Sequence, residues 1–573
     1  VFRNKKTPPL SSFSPRRGGS CSLKDLPMEK RLILAIVLSF AVLVLYQLVF
    51  VKKPPPQEPI PAAASEIEKP LKQEPIQKKP LAIEESEEKK DIQPVAGEHE
   101  EEIIVDTLLY RAVWINRGAQ LKSWRLKEYK DENKENLELI SVRSMELDRY
   151  PFLMSTDDPD FDSTINNTLY KSSKYRLELA EGEEGELRFE YADEAGTKVE
   201  KSFVFHGDTY SFEIQIAVWK NGQKIEPRLI WGPSFGNLTE QELKQRIGGG
   251  SPGVSIYAGN KVARHEERRF KPEESYYTFV DWAAYDINYF TALFIAPPQK
   301  ISAAFIKEEM GQAPYFFLAL DLPEKAYIGP KDIDHFTELG HDTKKIIRFG
   351  FFGWIAEILL RAIKYIHKSI PNWGICIIIM TLIIKIIFFP LTYSSTKSMA
   401  KMQELQPKMK AIRAKYKKAK QDIGQRRKMN EEIMKLYKEH GVNPAGGCLP
   451  ILIQLPIFWG FFRMLVVSLE FRQSPFIFWI KDLSVKDPYY VTPILMGITQ
   501  FINQKMTPTS ADPTQQRMML IMPVVMTIFF MNFSSGLVLY WLTNNVLQIA
   551  QQYIMNRLRQ KQKRESHGKR RKK

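Results

Sequence analysis

The sequence predicts a polytopic α-helical membrane protein, with about six transmembrane helices, that carries a large β-sandwich domain. Three observations lead there. Apolar runs close to the length of a bilayer crossing stand near both ends of the 573-residue chain. Between them lie short β-type runs separated by turn residues. Lysines and arginines crowd beside particular apolar runs, and they supply most of an excess of 82 basic over 66 acidic side chains, a net charge of +16. Charge in that position points to a membrane surface rather than to nucleic acid, for which no binding motif is present. The three cysteines, Cys21, Cys376 and Cys448, form no CxxC pair, so neither a zinc site nor a redox pair is expected.

Residues 1–27 are rich in Ser, Pro and Arg and have no apolar period. The sequence Met28-Glu29-Lys30-Arg31 then opens an uncharged run from Leu32 to Val51. Met28 reads as a natural start, with the first 27 residues an upstream extension. The run reads as a retained anchor over 28–51. It exceeds the about 7–15 residues of a signal-peptide core, and no small-residue cleavage site follows. The basic residues before it keep the N-terminus in the cytoplasm, so the chain emerges on the far side. Residues 52–102 are dense in Pro, Glu and Lys and read as a disordered linker.

Over 103–342 the texture is that of strands: Lys201–Phe205, Ser211–Trp219, Ile301–Phe305 and Tyr315–Leu320, punctuated by Gly182, Gly185, Gly207 and Gly222. This reads as one β-sandwich-like domain. His206 and His335 have no partners in a recognisable catalytic pattern and read as structural or surface residues. Residues 343–370 carry apolar side chains at helical spacing, interrupted by Arg348, Glu357, Arg361, Lys364 and Lys368. Such a segment fits an amphipathic helix lying in the membrane interface; a core helix of the preceding domain is the other reading.

The stretch Pro371–Leu391 is apolar except for Lys385. A cation near mid-helix costs about 2.5–3.5 kcal/mol on insertion scales. Two readings stand. The lysine stem can carry its amine toward the nearer interface. Alternatively, with Thr381 four residues earlier on the same face, the amine faces a wet groove within the protein. Residues 392–447 are hydrophilic and hold 14 lysines and arginines between Lys397 and Lys438. Met399, Met402, Leu405, Met409, Ile412 and Tyr416, then Met429, Ile433, Leu436 and Tyr437, recur at helical spacing around Gly424. This reads as a helical hairpin, cytoplasmic by its charge. Leu449–Leu469 is the next span and contains Gln454 and Arg463, the latter expected to reach toward the far interface. Three shorter runs follow, about Tyr490–Phe501, Met518–Met531 and Leu537–Ile549, with many amides and hydroxyls that need partners or water. The tail from Arg557 to Lys573 has ten basic residues and one acidic, fitting a cytoplasmic C-terminus.

No nucleophile–base pair, metal-ligand spacing or phosphate loop is present, so no catalytic residue, metal or cofactor is expected and the protein reads as no enzyme. A bundle with one cation, many amides and dense methionines suits the binding of varied apolar partners. A solute transporter using Lys385 as its site and an envelope scaffold using the β-domain are the rival readings.

The runs NWGICIIIMTLIIKIIFFPLT from Asn372, MAKMQELQPKMKAIRAKY from Met399, NPAGGCLPILIQLPIFWGFF from Asn443, DPYYVTPILMGITQF from Asp487, QKMTPT from Gln504 and SSGLVLYWLTNN from Ser534 closely resemble the YidC family of bacterial membrane-protein insertases. The likeness runs in order across about residues 372–553. It implies a periplasmic β-supersandwich over 103–342, an interface helix over 343–370, a five-helix insertase core over 371–553 that includes the hairpin 392–447, and a basic cytoplasmic tail over 554–573. It also implies an inner-membrane insertase and folding chaperone with a hydrophilic groove closed toward the periplasm. That groove would involve Lys385, Thr381, Gln454, Tyr540 and Trp541. Many relatives have arginine where this chain has Lys385, which keeps the charge without the bidentate fork. Tyrosine is usual where this chain has Trp541. The implied partners are nascent membrane proteins, the ribosome through hairpin and tail, the Sec translocon and the lipid bilayer, with the monomer as the working unit.

Overall fold

The structure, a computed structural model, describes residues 94–131, 133–237, 252–272, 275–310, 313–416, 422–442, 449–507 and 513–571. The expected upstream extension, the N-terminal anchor and most of the linker lie outside them. The last linker residues already pair with the β-domain: the Val95 N–H donates to the Ala192 carbonyl, and the Asn116 side chain accepts from the Glu101 N–H. Composition reads such residues as linker because main-chain pairing leaves no trace in side-chain type.

Two sheets build the β-domain. A five-stranded sheet orders Asn136–Glu138, Gln120–Lys130, Tyr110–Ile115, Glu102–Asp106 and Arg176–Glu178, with only the last pair parallel. A second sheet has 14 strands among the described residues. Its centre runs antiparallel through Lys198–His206, Ser211–Lys220, Lys325–Pro330, Phe290–Ile295, Tyr276–Asp286, Ile301–Met310 and Ala313–Asp321. Alternation along Lys198–His206 turns Val199, Lys201, Phe203 and Phe205 inward. Phe203 meets Trp114 of the first sheet with ring centroids 4.3 Å apart, and Tyr110 stacks on Trp124 at 3.9 Å. Each such pair adds about 0.5–1.5 kcal/mol beyond the area it buries.

The glycines expected at turns divide. Gly182 has a φ of +74°, the left-handed conformation a turn needs. Gly185 instead lies within the strand Glu184–Ala192, where a Cβ would stand 2.7 Å from Leu177; a close neighbour rather than a turn requires it.

Lys201 is fully buried and its amine donates to the carbonyls of Gly118 (2.7 Å), Phe152 (2.8 Å) and Ala119 (3.4 Å). Burial pulls its pKa down to about 7. His206 bonds Glu213 at 2.9 Å and His335 faces Tyr327, roles internal to the domain.

Helices form the rest: α1 (Gly353–Ser369), α2 (Trp373–Glu404), α3 (Gln406–Lys415), α4 (Ile423–Glu439), α5 (Leu449–Val467), α6 (Val491–Met506), α7 (Pro513–Phe530) and α8 (Ser535–Arg571). α1 buries Ala356, Leu359, Leu360 and Ile363 and exposes Trp354, Ile358 and Tyr365. It packs closely on α5 because Gly460 has no side chain; a Cβ there would lie 2.6 Å from Ile355. Lys364 ties α1 to the β-domain through Asp332 (3.1 Å) and Asp334 (2.6 Å), and to the chain beyond α5 through Glu470 (3.1 Å). Burial works against the charge on Lys364, but Glu470 and the two aspartates raise its pKa overall.

α2 corrects one sequence expectation. The helix does not end near Leu391 before a separate hairpin; it continues to Glu404 after a 61° bend between Ile387 and Phe389. Pro390 explains both the bend and its place. The residue lacks an N–H, and its ring crowds the carbonyl of Ile386, yet the helix resumes beyond it. Beyond the bend, Met402, Leu405 and Met409 pack against Leu436, Tyr437 and Val442, so α3 and α4 do fold back on one another. Gly424 lies in the first turn of α4 rather than at the reversal.

The outward faces of the long helices are apolar. Leu382, Ile383, Ile386 and Ile387 on α2, Ile494, Leu495, Ile498 and Ile502 on α6, and Ile521, Val524, Val525 and Ile528 on α7 are exposed. Among the described residues no single helix is long and apolar enough to cross a membrane; only the two segments of bent α2 pass that test together. Within α5 and α7, Ile453–Val467 and Leu520–Phe530 are apolar.

Candidate functional site

Three helices bring polar side chains together inside this apolar shell. On α2, Thr381, Lys385, Phe388 and Thr392 follow at three- and four-residue steps and share one face. On α8, Tyr540, Asn544 and Gln548 do the same. On α5, Ile453, Gln454 and Ile457 face them. Thr381, Ile384, Lys385, Phe388, Leu391, Thr392, Ile453, Gln454, Ile457, Tyr540 and Asn544 line a recess that opens on one side.

The Lys385 amine donates to the Gln548 side-chain carbonyl at 2.8 Å. None of the lining residues is acidic, so the ammonium meets a dipole and no counter-charge. Gln454 donates to Asn544 at 3.0 Å and lies 3.5 Å from the Tyr540 hydroxyl. Lower down, Gln551 donates to the Thr392 hydroxyl at 2.9 Å. The amides thus hold one another in place around a single cation. One wall is rigid: Tyr540 is buried and stacks on Phe461, centroids 4.2 Å apart.

Of the five residues expected here, Lys385, Thr381, Gln454 and Tyr540 converge. The Thr381 hydroxyl does not point a donor into the recess; it bonds back to the Ile377 carbonyl at 2.7 Å, as helical threonines commonly do. Trp541 is not among the lining residues. Adjacent helical positions lie about 100° apart, so Tyr540 and Trp541 cannot face the same way. Trp541 packs between Phe458 and Phe530, and its indole N–H reaches Gln500 at 3.4 Å. Gln548 and Asn544 belong to the site but stood in the sequence only among many polar residues of the last helix. The signal that finds them is their four-residue spacing from Tyr540. Among the described residues no three His, Cys, Asp or Glu side chains are grouped to hold a metal.

Arg463 turns away from this recess. Its guanidinium donates to the main-chain carbonyl of Arg348, at the seam between the β-domain and α1.

Two family descriptions divide the chain. Residues 102–362 match the YidC periplasmic domain, and residues 365–563 match the 60Kd inner membrane protein family. The membrane protein insertase YidC of Syntrophus aciditrophicus is 36% identical over 562 residues, covering 92% of this chain and 100% of that one. Its counterpart in Citrifermentans bemidjiense is 37% identical over 547 residues, covering 92% and 99%. Among solved structures, an active YidC insertase crystal structure with its first transmembrane domain resolved aligns at 19% identity over 80% of this chain and 94% of that chain, with a TM-score of 0.34.

Proposed function

Because the chain belongs to the YidC family of membrane protein insertases, an inner-membrane family built with a periplasmic domain, we propose that the recess around Lys385 is where it receives its nascent substrates. A polar leading segment costs several kcal/mol for each hydrogen-bonding group it takes into hydrocarbon unpaired. The recess offers such a segment a halfway position: the amides of Gln454, Asn544 and Gln548 as partners, and the Lys385 ammonium for a carboxylate. The apolar segment that follows then slides along the exposed faces of α6 and α7 into lipid, driven by burial of about 0.8 kcal/mol for each methylene. No bond is made or broken.

Six crossings are proposed: the anchor Leu32–Val51 and helices α2, α5, α6, α7 and α8. The bent α2 carries the groove lysine on its apolar arm and leads into the basic hairpin, so cargo captured in the cytoplasm is handed to one continuous element.

The basic hairpin and tail are proposed to face the cytoplasm and meet the acidic RNA surface of the ribosome. Cooperation with the Sec translocon, chaperone action during folding, and function as a monomer complete the proposal.

The observation that carries it is the Lys385 ammonium held by one amide in a recess with no acidic lining. A photo-crosslinker at Asn544 or Ile457 should capture a ribosome-stalled membrane protein with an acidic translocated segment. One at Ile386 or Ile387, on the opposite face of α2, should capture lipid before substrate. Equal substrate capture at all four positions, or capture at the outer pair alone, overturns the groove.

A further inference from the structure

A second cationic cluster lies at the seam between the β-domain and α1, away from the recess. Arg264 of the strand Lys261–Glu266 donates to the main-chain carbonyls of Lys345 (2.6 Å) and Ile346 (3.3 Å). Arg463 of α5 donates to the carbonyl of Arg348, and a Cβ at Gly350 would stand 3.6 Å from its Nε. The Arg348 guanidinium itself lies 3.5 Å from Asp286 and 3.7 Å from Glu266. Two guanidinium groups from other elements therefore hold the short segment 345–350 by its carbonyls, and Arg348 of the segment itself adds a third cation beside them.

The cluster is short of negative charge and of acceptors. Asp286 is buried and already pairs with Lys331. Both carboxylates that Arg348 reaches are shared, Asp286 with Lys331 and Glu266 with Arg269, so positive charge exceeds negative here. Neither Arg264 nor Arg463 has a carboxylate within ion-pair distance among the described residues. The Nε–H groups of all three arginines are buried without an acceptor. The carbonyls and carboxylates already named meet the other nitrogens of these groups only in part, which leaves the cluster able to take a further anionic acceptor.

What stands beside the cluster identifies the missing partner. Phe351 is 91% exposed and Trp354 66% exposed, three and six residues beyond Arg348. Aromatic rings presented this way sit at the level of lipid headgroups, with phosphates directly above them. Planar guanidinium forks match phosphate oxygens.

We propose that Arg264, Arg348 and Arg463 bind the phosphate of an acidic phospholipid in the periplasm-facing leaflet, with its acyl chains against Phe351 and Trp354. The lipid completes the joint that fixes the β-domain to α1 and α5. The inference rests on α1 lying at the membrane interface but not on the groove, so Lys385→Ala leaves this binding intact.

The test titrates the purified full chain in zwitterionic detergent with short-chain phosphatidylglycerol, short-chain phosphatidylcholine and inorganic phosphate, read by native mass spectrometry. Phosphatidylglycerol should bind at least about tenfold more tightly than phosphatidylcholine, and Arg463→Gln should erase most of that preference. Equal binding of both lipids overturns the proposal, and inorganic phosphate competing as well as the lipid overturns the lipid assignment in favour of a free-anion site. Should Arg463→Gln fail to fold, a photo-crosslinker replacing the exposed Phe351 reads the same question with all three arginines in place. Phosphatidylglycerol captured several-fold above its share of a mixed membrane supports the proposal; capture in proportion to its share sinks it.

Discussion

Two lysines, one in each half of the molecule, are withdrawn from bulk water, and their surroundings differ in kind. Lys201 in the β-domain is closed in by three main-chain carbonyls and the walls of a core that admits nothing else. Lys385 in the helical core has one side-chain amide and an open recess. The first is a structural amine: its partners belong to the fold and cannot be exchanged. The second keeps most of its hydrogen-bonding capacity for something that is not part of the chain. The contrast extends to the regions around them. The β-domain packs Trp114, Trp124, Phe203 and Phe212 between its sheets, whereas the helical core exposes an apolar face on α2, α6 and α7 and keeps the amides of Gln454 and Asn544 within. A protein surrounded by lipid is expected to be built that way.

Stability should separate the two lysines most widely. Lys201→Met leaves the Gly118 and Phe152 carbonyls buried and unpaired, at about 1–3 kcal/mol each. The variant should lose about 3 kcal/mol in denaturant unfolding of the β-domain, followed by limited proteolysis of the full chain, and should lose insertion only in proportion to unfolded protein. Lys385→Leu should do the reverse. Removing a cation from a membrane helix relieves a cost of about 2.5–3.5 kcal/mol, so the bundle should be no less stable. Insertion of substrates with acidic translocated segments should fall about tenfold, the equivalent of about 1.4 kcal/mol. A Lys385→Leu protein that unfolds readily, or a Lys201→Met protein that is stable and inactive, would dissolve the contrast.

Acidity offers a sharper separation. The Lys201 pKa falls from 10.5 to about 7 on folding, through burial. Between those values the unfolded chain holds a proton that the folded chain has released, so stability rises with pH across the window. The slope is up to about 1.4 kcal/mol for each pH unit. Unfolding of the β-domain measured at pH 7 and pH 9 should show this gain in the parent chain and not in Lys201→Met. An unchanged slope in the variant would mean that Lys201 keeps its proton throughout and that its three carbonyls outweigh its burial.

Much of this was legible in the residues, and where it was not the reason is physical. The runs Lys201–Phe205 and Ser211–Trp219 marked strands because alternation is a local property. The same alternation puts Lys201 on the inward face with Val199, Phe203 and Phe205, but nothing local says that three distant carbonyls wait there. Lys385 stands out because an ion in an apolar run is improbable by itself. Its partner Gln548 stands 163 positions away in a helix with many other amides, and only packing selects one of them. Resemblance groups Trp541 with Tyr540, and helical geometry separates them. The bend at Pro390 was hidden because a proline near the end of an apolar run reads as an end. Whether the helix resumes depends on what the next turns pack against, here Met402, Leu405 and Met409 against α4.

The smallest expected effect falls on Gln548. If Lys385 is kept available for substrate rather than fixed by the fold, its amide partner is a placeholder that a substrate carboxylate displaces. Gln548→Leu should then leave stability within about 1 kcal/mol, because the freed ammonium still reaches the open recess and loses one hydrogen bond worth about 1.5–3 kcal/mol only in part. Its effect on insertion should be a few-fold, and it should fall on substrates with neutral leading segments, which cannot replace the lost partner. Acidic substrates bring their own acceptor and should be spared. Insertion assays on matched substrates differing only in an Asp-to-Asn change in the translocated segment would read this directly. An equal loss on both would show that Gln548 belongs to the resting structure as firmly as the carbonyls around Lys201, and the two lysines would then differ in degree rather than in kind.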